Sequence, residues 1–290
     1  MTSWSAADRR RRRLREGWGA FTDNRPALVG LVVLAVIVLG CFLGPLIWRT
    51  DQVHTALADA FRPPGGGHPL GTDELGRDVL GRLLAAGQVS LLVGAAAAVI
   101  ATGVGALYGA LSGYLGGAVD AVLMRVVDAG VSIPSLFVVL FVASLAPPTL
   151  PTLVVAIAAT SWLVPARIVR GEALTLRSMG FVRMVRLLGG GTVRAVGGHV
   201  LPNTVSTIVV NATFQIADAI LTIATLSFLG LGPRPPTANW GGMLSGGLDN
   251  EYSGYWWTIY PAGLAIILTV VSINMVGDGL RDALSPRSRR

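Results

Sequence analysis

The chain contains no lysine, a single cysteine and three histidines, and only 13% of its 290 residues are charged. Each shortage closes off a class of chemistry. Without lysine there is no phosphate-binding loop of the Gly-x-x-x-x-Gly-Lys type, so the chain is not itself an ordinary P-loop ATPase. Cys41 stands alone inside an apolar run, which excludes an intrachain disulfide and a cysteine-based zinc site. His54, His68 and His199 are scattered without metalloprotease spacing, and no nucleophile elbow or catalytic pair accompanies them. The sequence reads as a non-enzyme that binds no cofactor and no metal of its own, and no nucleic-acid partner is expected.

What is abundant points to lipid. Hydrophobic residues make up 52% of the chain and the mean hydropathy is +0.62, while an ordinary soluble domain is about 25% charged. Apolar runs at about 27–48, 88–112, 121–146, 149–168, 204–230 and 257–279 are each long enough, as helices, to cross a hydrocarbon core of ~30 Å. The expected fold class is therefore all-α, a polytopic membrane protein with six transmembrane helices. The first run follows the basic tail DRRRRRLREGW and ends in Pro-Leu-Ile-Trp-Arg, so it reads as a retained span and not a cleaved signal peptide. In the third, Arg125 and Asp128 lie three residues apart, where they either pair with each other or form a charged lead-in; Pro134 is placed to kink that span.

Arginine distribution sets the orientation. With the N-terminus inside, 18 of the 23 arginines fall on cytoplasmic segments and 5 (Arg49, Arg62, Arg77, Arg82, Arg234) fall outside. That asymmetry satisfies the positive-inside rule and puts both termini in the cytoplasm.

Two spans carry further patterns. In the second, Ala97, Ala101, Gly105 and Gly109 recur every four residues and form a small-residue face on which another helix can pack closely. In the fifth, Thr204, Thr207, Asn211, Gln215, Asp218, Thr222 and Thr225 fall on one stripe. The hydroxyls can bond their own backbone. Asn211, Gln215 and Asp218 need partners or water, which favours a stripe lining a translocation pathway over an interhelix network.

The segments between spans are equally specific. In 49–87, Thr72 is expected to cap a short helix, with Asp73 and Glu74 in its first turn. The loop at 231–256 reads as rigid at its prolines and flexible at its glycines, and Trp256 and Trp257 suit a membrane interface. The segment FVRMVRLLGGGTVRAVGGHVLPN interrupts the apolar runs on the cytoplasmic side. Ser178 is expected to cap a short helix there. On that helix Phe181, Met184, Val185 and Leu188 make an apolar stripe, with Arg183, Arg186 and Gly190 facing away. Gly189, Gly190 and Gly191 end it. By its physics such a helix lies either on anionic headgroups or in a groove of a partner protein.

Six segments taken in order resemble a known family: HPLGTDELGRDVLGRLL, GYLGGAVDAVLMRVVD, RIVRGEALTLRSMGFV, HVLPN, LSFLGLGPRPPTANWGGML and VGDGLRDALSPR. They are similar to the permease subunits of bacterial ABC importers, most closely the C-type permease of the dipeptide/oligopeptide/nickel family. The resemblance implies the type I ABC importer permease fold. It divides the chain into a basic cytoplasmic tail (1–26), a first transmembrane helix (27–48), an extracytoplasmic segment (49–87), a permease core (88–279, with a coupling loop at 169–199) and a cytoplasmic tail (280–290). The implied partners are a homologous second permease, two cytoplasmic ATPase subunits that bind the ATP, an extracytoplasmic substrate-binding protein and membrane lipid. The implied location is the bacterial inner (plasma) membrane.

The family's coupling motif runs Glu-Ala-Ala, then Gly, then Ile-x-Leu-Pro. Its later elements fall on Gly189, Leu201 and Pro202, with His199 at the isoleucine position. The Glu-Ala-Ala triplet falls on Arg183, Met184 and Val185 and is lost, and Ile223 stands where relatives usually carry glutamate. ATPase coupling is thereby expected at Phe181, Arg183, Met184, Val185, Arg186, Leu188 and Gly189, and short peptides are the implied cargo. Nickel or another small solute is the alternative, and a stand-alone secondary transporter using Asp218 is a further one.

Overall fold

The computed structural model describes residues 19–284 apart from 52 and 249. Most of the basic tail and the end of the C-terminal tail lie outside the described residues, as does the side chain of Arg186. Among the described residues there is no β-strand, and the chain is a succession of helices. Four continuous helical runs are long and apolar enough to cross a membrane, and two bent helix pairs raise the number to six if each pair is one span.

Helix α1 (Arg25–Ile47) starts where Asn24 accepts the Ala27 amide at 3.1 Å, with Pro26 in its first turn. It buries little beyond Ala27, Gly30 and Cys41 and turns Val29, Val32, Val36 and Leu39 outward, as a lipid-facing helix should. The segment that follows is held by Asp78 and not by a helix at Thr72. Asp78 Oδ2 accepts the Gly81 amide at 2.7 Å and the Trp48 indole at 2.8 Å, while Oδ1 meets His68 Nδ1 at 2.9 Å. Asp78, not Thr72, is therefore the N-cap, and α2 (Val79–Leu115) begins nine residues before the apolar run suggested. Thr72 is fully buried; its hydroxyl accepts the Arg62 amide, and its carbonyl accepts the Trp257 indole. Trp257 is thus a packing residue, whereas Trp256 is half exposed.

The small-residue face of α2 is central to the bundle. Ala97 and Ala101 are fully buried. A methyl group on Gly105 would lie 2.5 Å from the Trp162 carbonyl oxygen, and one on Gly109 would lie 2.2 Å from that of Ala166. Backbones approach this closely only where both helices present small residues. Gly113 extends the face by another turn, against Arg170 and Ala173.

The third span is broken. Helix α3 (Gly117–Ser132) and α4 (Ser135–Leu145) meet at 84°, because Pro134 has no amide to continue the ladder and holds Ile133 in an extended conformation. Arg125 and Asp128 do not pair. Asp128 instead accepts from Arg167 at 2.7 Å, since neighbouring charges on one helix lose to a guanidinium brought alongside by packing. The fourth span bends by 43° between α5 (Leu150–Ser161) and α6 (Leu163–Arg177); α6 carries the helix nine residues beyond the apolar run.

Helix α7 (Gly180–Leu187) follows, then α8 (Thr192–Ala195), a π-turn at Val196–Val200 and α9 (Leu201–Phe228). The continuous helical run of the fifth span thus starts at Thr192, before HVLPN. The π-turn sits directly ahead of Pro202, where the Leu201 amide bonds the Val196 carbonyl five residues back. The loop at 231–256 is not merely flexible at its glycines: α10 (Trp240–Leu248) occupies it, with Trp240 buried and donating its indole N–H to the Leu83 carbonyl at 3.0 Å. Helix α11 (Tyr260–Leu284) closes the bundle against α1, where Gly30 lets Met275 approach. Ile223 is 1% exposed among Val93, Ala97 and Leu153, so an apolar residue is what this packing admits.

Candidate functional site

Helix α7 is seated on the C-terminal ends of α2 and α6. Val182 is 2% exposed and packs with Tyr114 of α2, Ala173 and Leu176 of α6, and Val196 and Val200 of the π-turn. Val185 is half-buried against the same cluster. Ser178 does not cap α7; its hydroxyl donates back to Thr175 at 2.7 Å and finishes α6 instead. At the other end Gly189 adopts φ +77°, and the Gly190 amide bonds the Val185 carbonyl at 2.8 Å. This is a Schellman-type stop, and a side chain at Gly189 would be strained in it.

The outward face of α7 is apolar. Phe181 is 44% exposed, Met184 55%, Leu187 81% and Leu188 80%. Each such side chain gains roughly 1.5–3 kcal/mol when fully buried, so an uncovered apolar quartet beside exposed Arg183 fits an interface. The predicted stripe is therefore rotated: Val182 and Val185 point inward. Arg183 is not opposite the exposed apolar residues. It lies beside Leu187 on the same outer arc, at the rim of a groove lined by Tyr114, Leu174, Arg177 and Ser178.

The polar stripe of α9 divides in three. Thr204 and Gln215 are buried, and the Gln215 side-chain amide donates to the carbonyl of Ser161, at the bend of the fourth span. Thr222 and Thr225 bond their own backbone, at 2.8 Å to Asp218 and 2.9 Å to Leu221. Thr207 is half-buried, and Asn211 and Asp218 remain. Asn211 Oδ1 is buried with no hydrogen-bond partner among the described residues; Asp218 is exposed on the bundle surface, without an ion pair among those residues. The two lie about two turns apart on one face of α9, and the structure does not bring the α7 residues together with the stripe.

A third constellation was not singled out from the sequence. Arg170 donates Nε and Nη2 to the two oxygens of Asp120, each at 2.6 Å, and the Ser112 hydroxyl donates to the same carboxylate at 2.6 Å. Asp120 is 7% exposed. The signal lay in GGAVD and RIVRGE, but fifty residues separate the partners and no periodicity links them.

These features define a multi-pass membrane permease. The chain belongs to the family described as binding-protein-dependent transport system inner membrane component, which it matches over residues 105–290. Residues 13–64 match the N-terminal transmembrane domain of oligopeptide transport permease C. It is 38% identical over 275 residues to the dipeptide transport system permease protein of Bacillus subtilis, covering 95% of this chain and 86% of the relative. It is 39% identical to that organism's oligopeptide transport system permease protein, over 93% of this chain and 88% of the relative. A di/tripeptide transport system permease protein of Pseudomonas aeruginosa is 38% identical over 94% and 92% of the two chains. It is an inner-membrane component of binding-protein-dependent transport, and it acts with other subunits of that class of system.

Proposed function

We propose that the chain is one of two homologous permease subunits of an ATP-driven importer of short peptides. In this reading an extracytoplasmic binding protein delivers the peptide and two cytoplasmic ATPase subunits bind the ATP. The chain itself performs no bond chemistry and carries no cofactor. Both termini face the cytoplasm. Helix α7 enters a cleft of one ATPase subunit through Phe181, Met184, Leu187 and Leu188, while Val182 and Val185 pass its displacement to α2 and α6. Asn211 and Asp218 serve the translocation pathway; Gln215 serves the interhelix network.

The observation that supports this reading best is the outward apolar quartet of α7, held on a rigid seat and ended by Gly189. An amphipathic helix entering a groove through such anchors is a recurrent mode of recognition. Peptide cargo is favoured by what the similar permeases are named for. Purification of the membrane complex tests the proposal. ATPase subunits should co-purify, and cysteine at Met184 should cross-link to one of them. Proton-driven uptake by this chain alone, or nickel-dependent but peptide-insensitive ATP hydrolysis by the complex, would overturn it.

A further inference from the structure

Helix α3 is weakly held by apolar packing. Of its side chains only those of Asp120, Met124 and Val127 are buried, while Val119, Val122 and Val126 are exposed. It leaves α2 through a tight turn at Gly116, where φ is +63°, a conformation that favours glycine, and the Arg177 side chain lies over it. Polar bridges make up for the sparse packing. The bidentate Asp120–Arg170 pair, with Ser112 as third partner, ties α3 to α6 and α2 at its start. The Arg167–Asp128 pair at 2.7 Å repeats the link further along, and Tyr108 Oη donates to the Leu123 carbonyl between them at 2.8 Å. Arg170 sits on the face of α6 that turns toward α2, within one turn of Val169 and Ala173, and both of these share the cluster that seats Val182 of α7.

We propose that Asp120 and Arg170 are positioning residues that make α3 travel as one body with α2, α6 and the seat of α7. Displacement of the docking helix then reaches the third span through a fixed charge pair, and the 84° break between α3 and α4 is where that span yields. A bidentate, hydrogen-bonded guanidinium–carboxylate pair suits this role because it fixes orientation as well as distance. Removal of Asp120 leaves the Arg170 guanidinium, its side chain 33% exposed, without the partner that fixes its orientation. The inference rests on the reading of α7 as the ATPase-docking helix.

The test uses the whole complex in proteoliposomes, with Cys41→Ala in this chain and a radiolabelled pool of di- and tripeptides. Asp128→Cys with Arg167→Cys places two thiols on exposed positions of α3 and α6, and a short bifunctional thiol reagent locks the helices together. Peptide transported per ATP hydrolysed should be unchanged by the lock. Asp120→Asn should lower that ratio by about tenfold while ATP hydrolysis continues, within the range of coupling between distant sites. Locking the helices in the Asp120→Asn background should restore the ratio. Arrest of transport by the lock alone, an unaltered ratio in Asp120→Asn, or failure of the lock to rescue it each overturns the proposal. If Asp120→Asn does not assemble, the effect of the lock with Asp120 in place decides. An unmodified complex that hydrolyses no ATP during uptake would refute the importer reading instead, so the two failures are distinguishable.

Discussion

Gln215 gives its side-chain amide to the Ser161 carbonyl, the very group that Pro165, four residues on, cannot reach with a backbone N–H. The bend of 43° between α5 and α6 sits at this point. A residue on the fifth span thus completes the backbone bonding of the fourth, and a polar side chain in lipid is satisfied by a defect in its neighbour. Gln215→Leu should destabilise the purified complex by about 0.6–2 kcal/mol, the range for interhelical hydrogen bonds in membranes. Pro165→Ala restores an amide to the ladder, so the double variant should lose less than the sum of the singles. Thermal melts of the four proteins in detergent give that coupling directly.

Close approach of α2 and α6 predicts a sharp difference between two glycines of one helix. A methyl at Gly109 would meet the Ala166 carbonyl oxygen at 2.2 Å, whereas nothing lies within 4 Å of one at Gly103. Gly109→Ala should cost about 1–3 kcal/mol or more, because backbone cannot yield as a side chain does. Gly103→Ala should be neutral. The amount of assembled complex in membranes, measured for both, checks the contrast; equal yields would refute this packing.

The proposed orientation rests on arginine asymmetry and is testable by accessibility. With Cys41 replaced, cysteine at His54, whose side chain is 87% exposed, should react with an impermeant thiol reagent in intact, wall-stripped cells. Cysteine at Thr2 or Ser288, both outside the described residues, should react only after the membrane is opened. Labelling of either terminus in intact cells contradicts the proposed topology.

Asp218 has a different status from Gln215, since no described residue pairs with it. If it serves the pathway, Asp218→Asn should assemble normally and change transport, and Asp218→Leu should abolish most uptake. Uptake by Asp218→Leu at the parent rate would show that the stripe is not a functional lining.

Arg183 occupies the outer arc of α7 beside Leu187. The family resemblance implies an acidic residue at this motif position, so an ATPase partner of this chain is expected to offer Arg183 an acidic or neutral contact. Arg183→Glu should then lower complex assembly and peptide-stimulated ATP hydrolysis more than Arg183→Ala does, because mismatched charge at an interface costs several kcal/mol. Two variants indistinguishable from the parent would mean that Arg183 is only a solvated residue.

Local patterns were legible in the chain because helices write them locally. The span number, the Ala97-to-Gly109 face, the Pro134 break and the Gly189 stop each depend on residues within a few positions of one another, through helical periodicity and backbone sterics. The direction in which α7 turns its apolar residues was not legible. Both Val185 and Leu188 fit the stripe, and only contact with Tyr114 and Leu176 makes the Val182 side the inner one. The N-cap was misread for a related reason: Thr72 and Asp78 are equally good capping residues, and the indole of Trp257 together with Arg62 commits Thr72 elsewhere. Partner choice across the bundle, as in Ser161 with Gln215 or Asp120 with Arg170, depends on how far two helices slide past each other before their small residues meet. That register is a property of packed surfaces, which no single stretch of sequence contains, and so tertiary structure alone decided it.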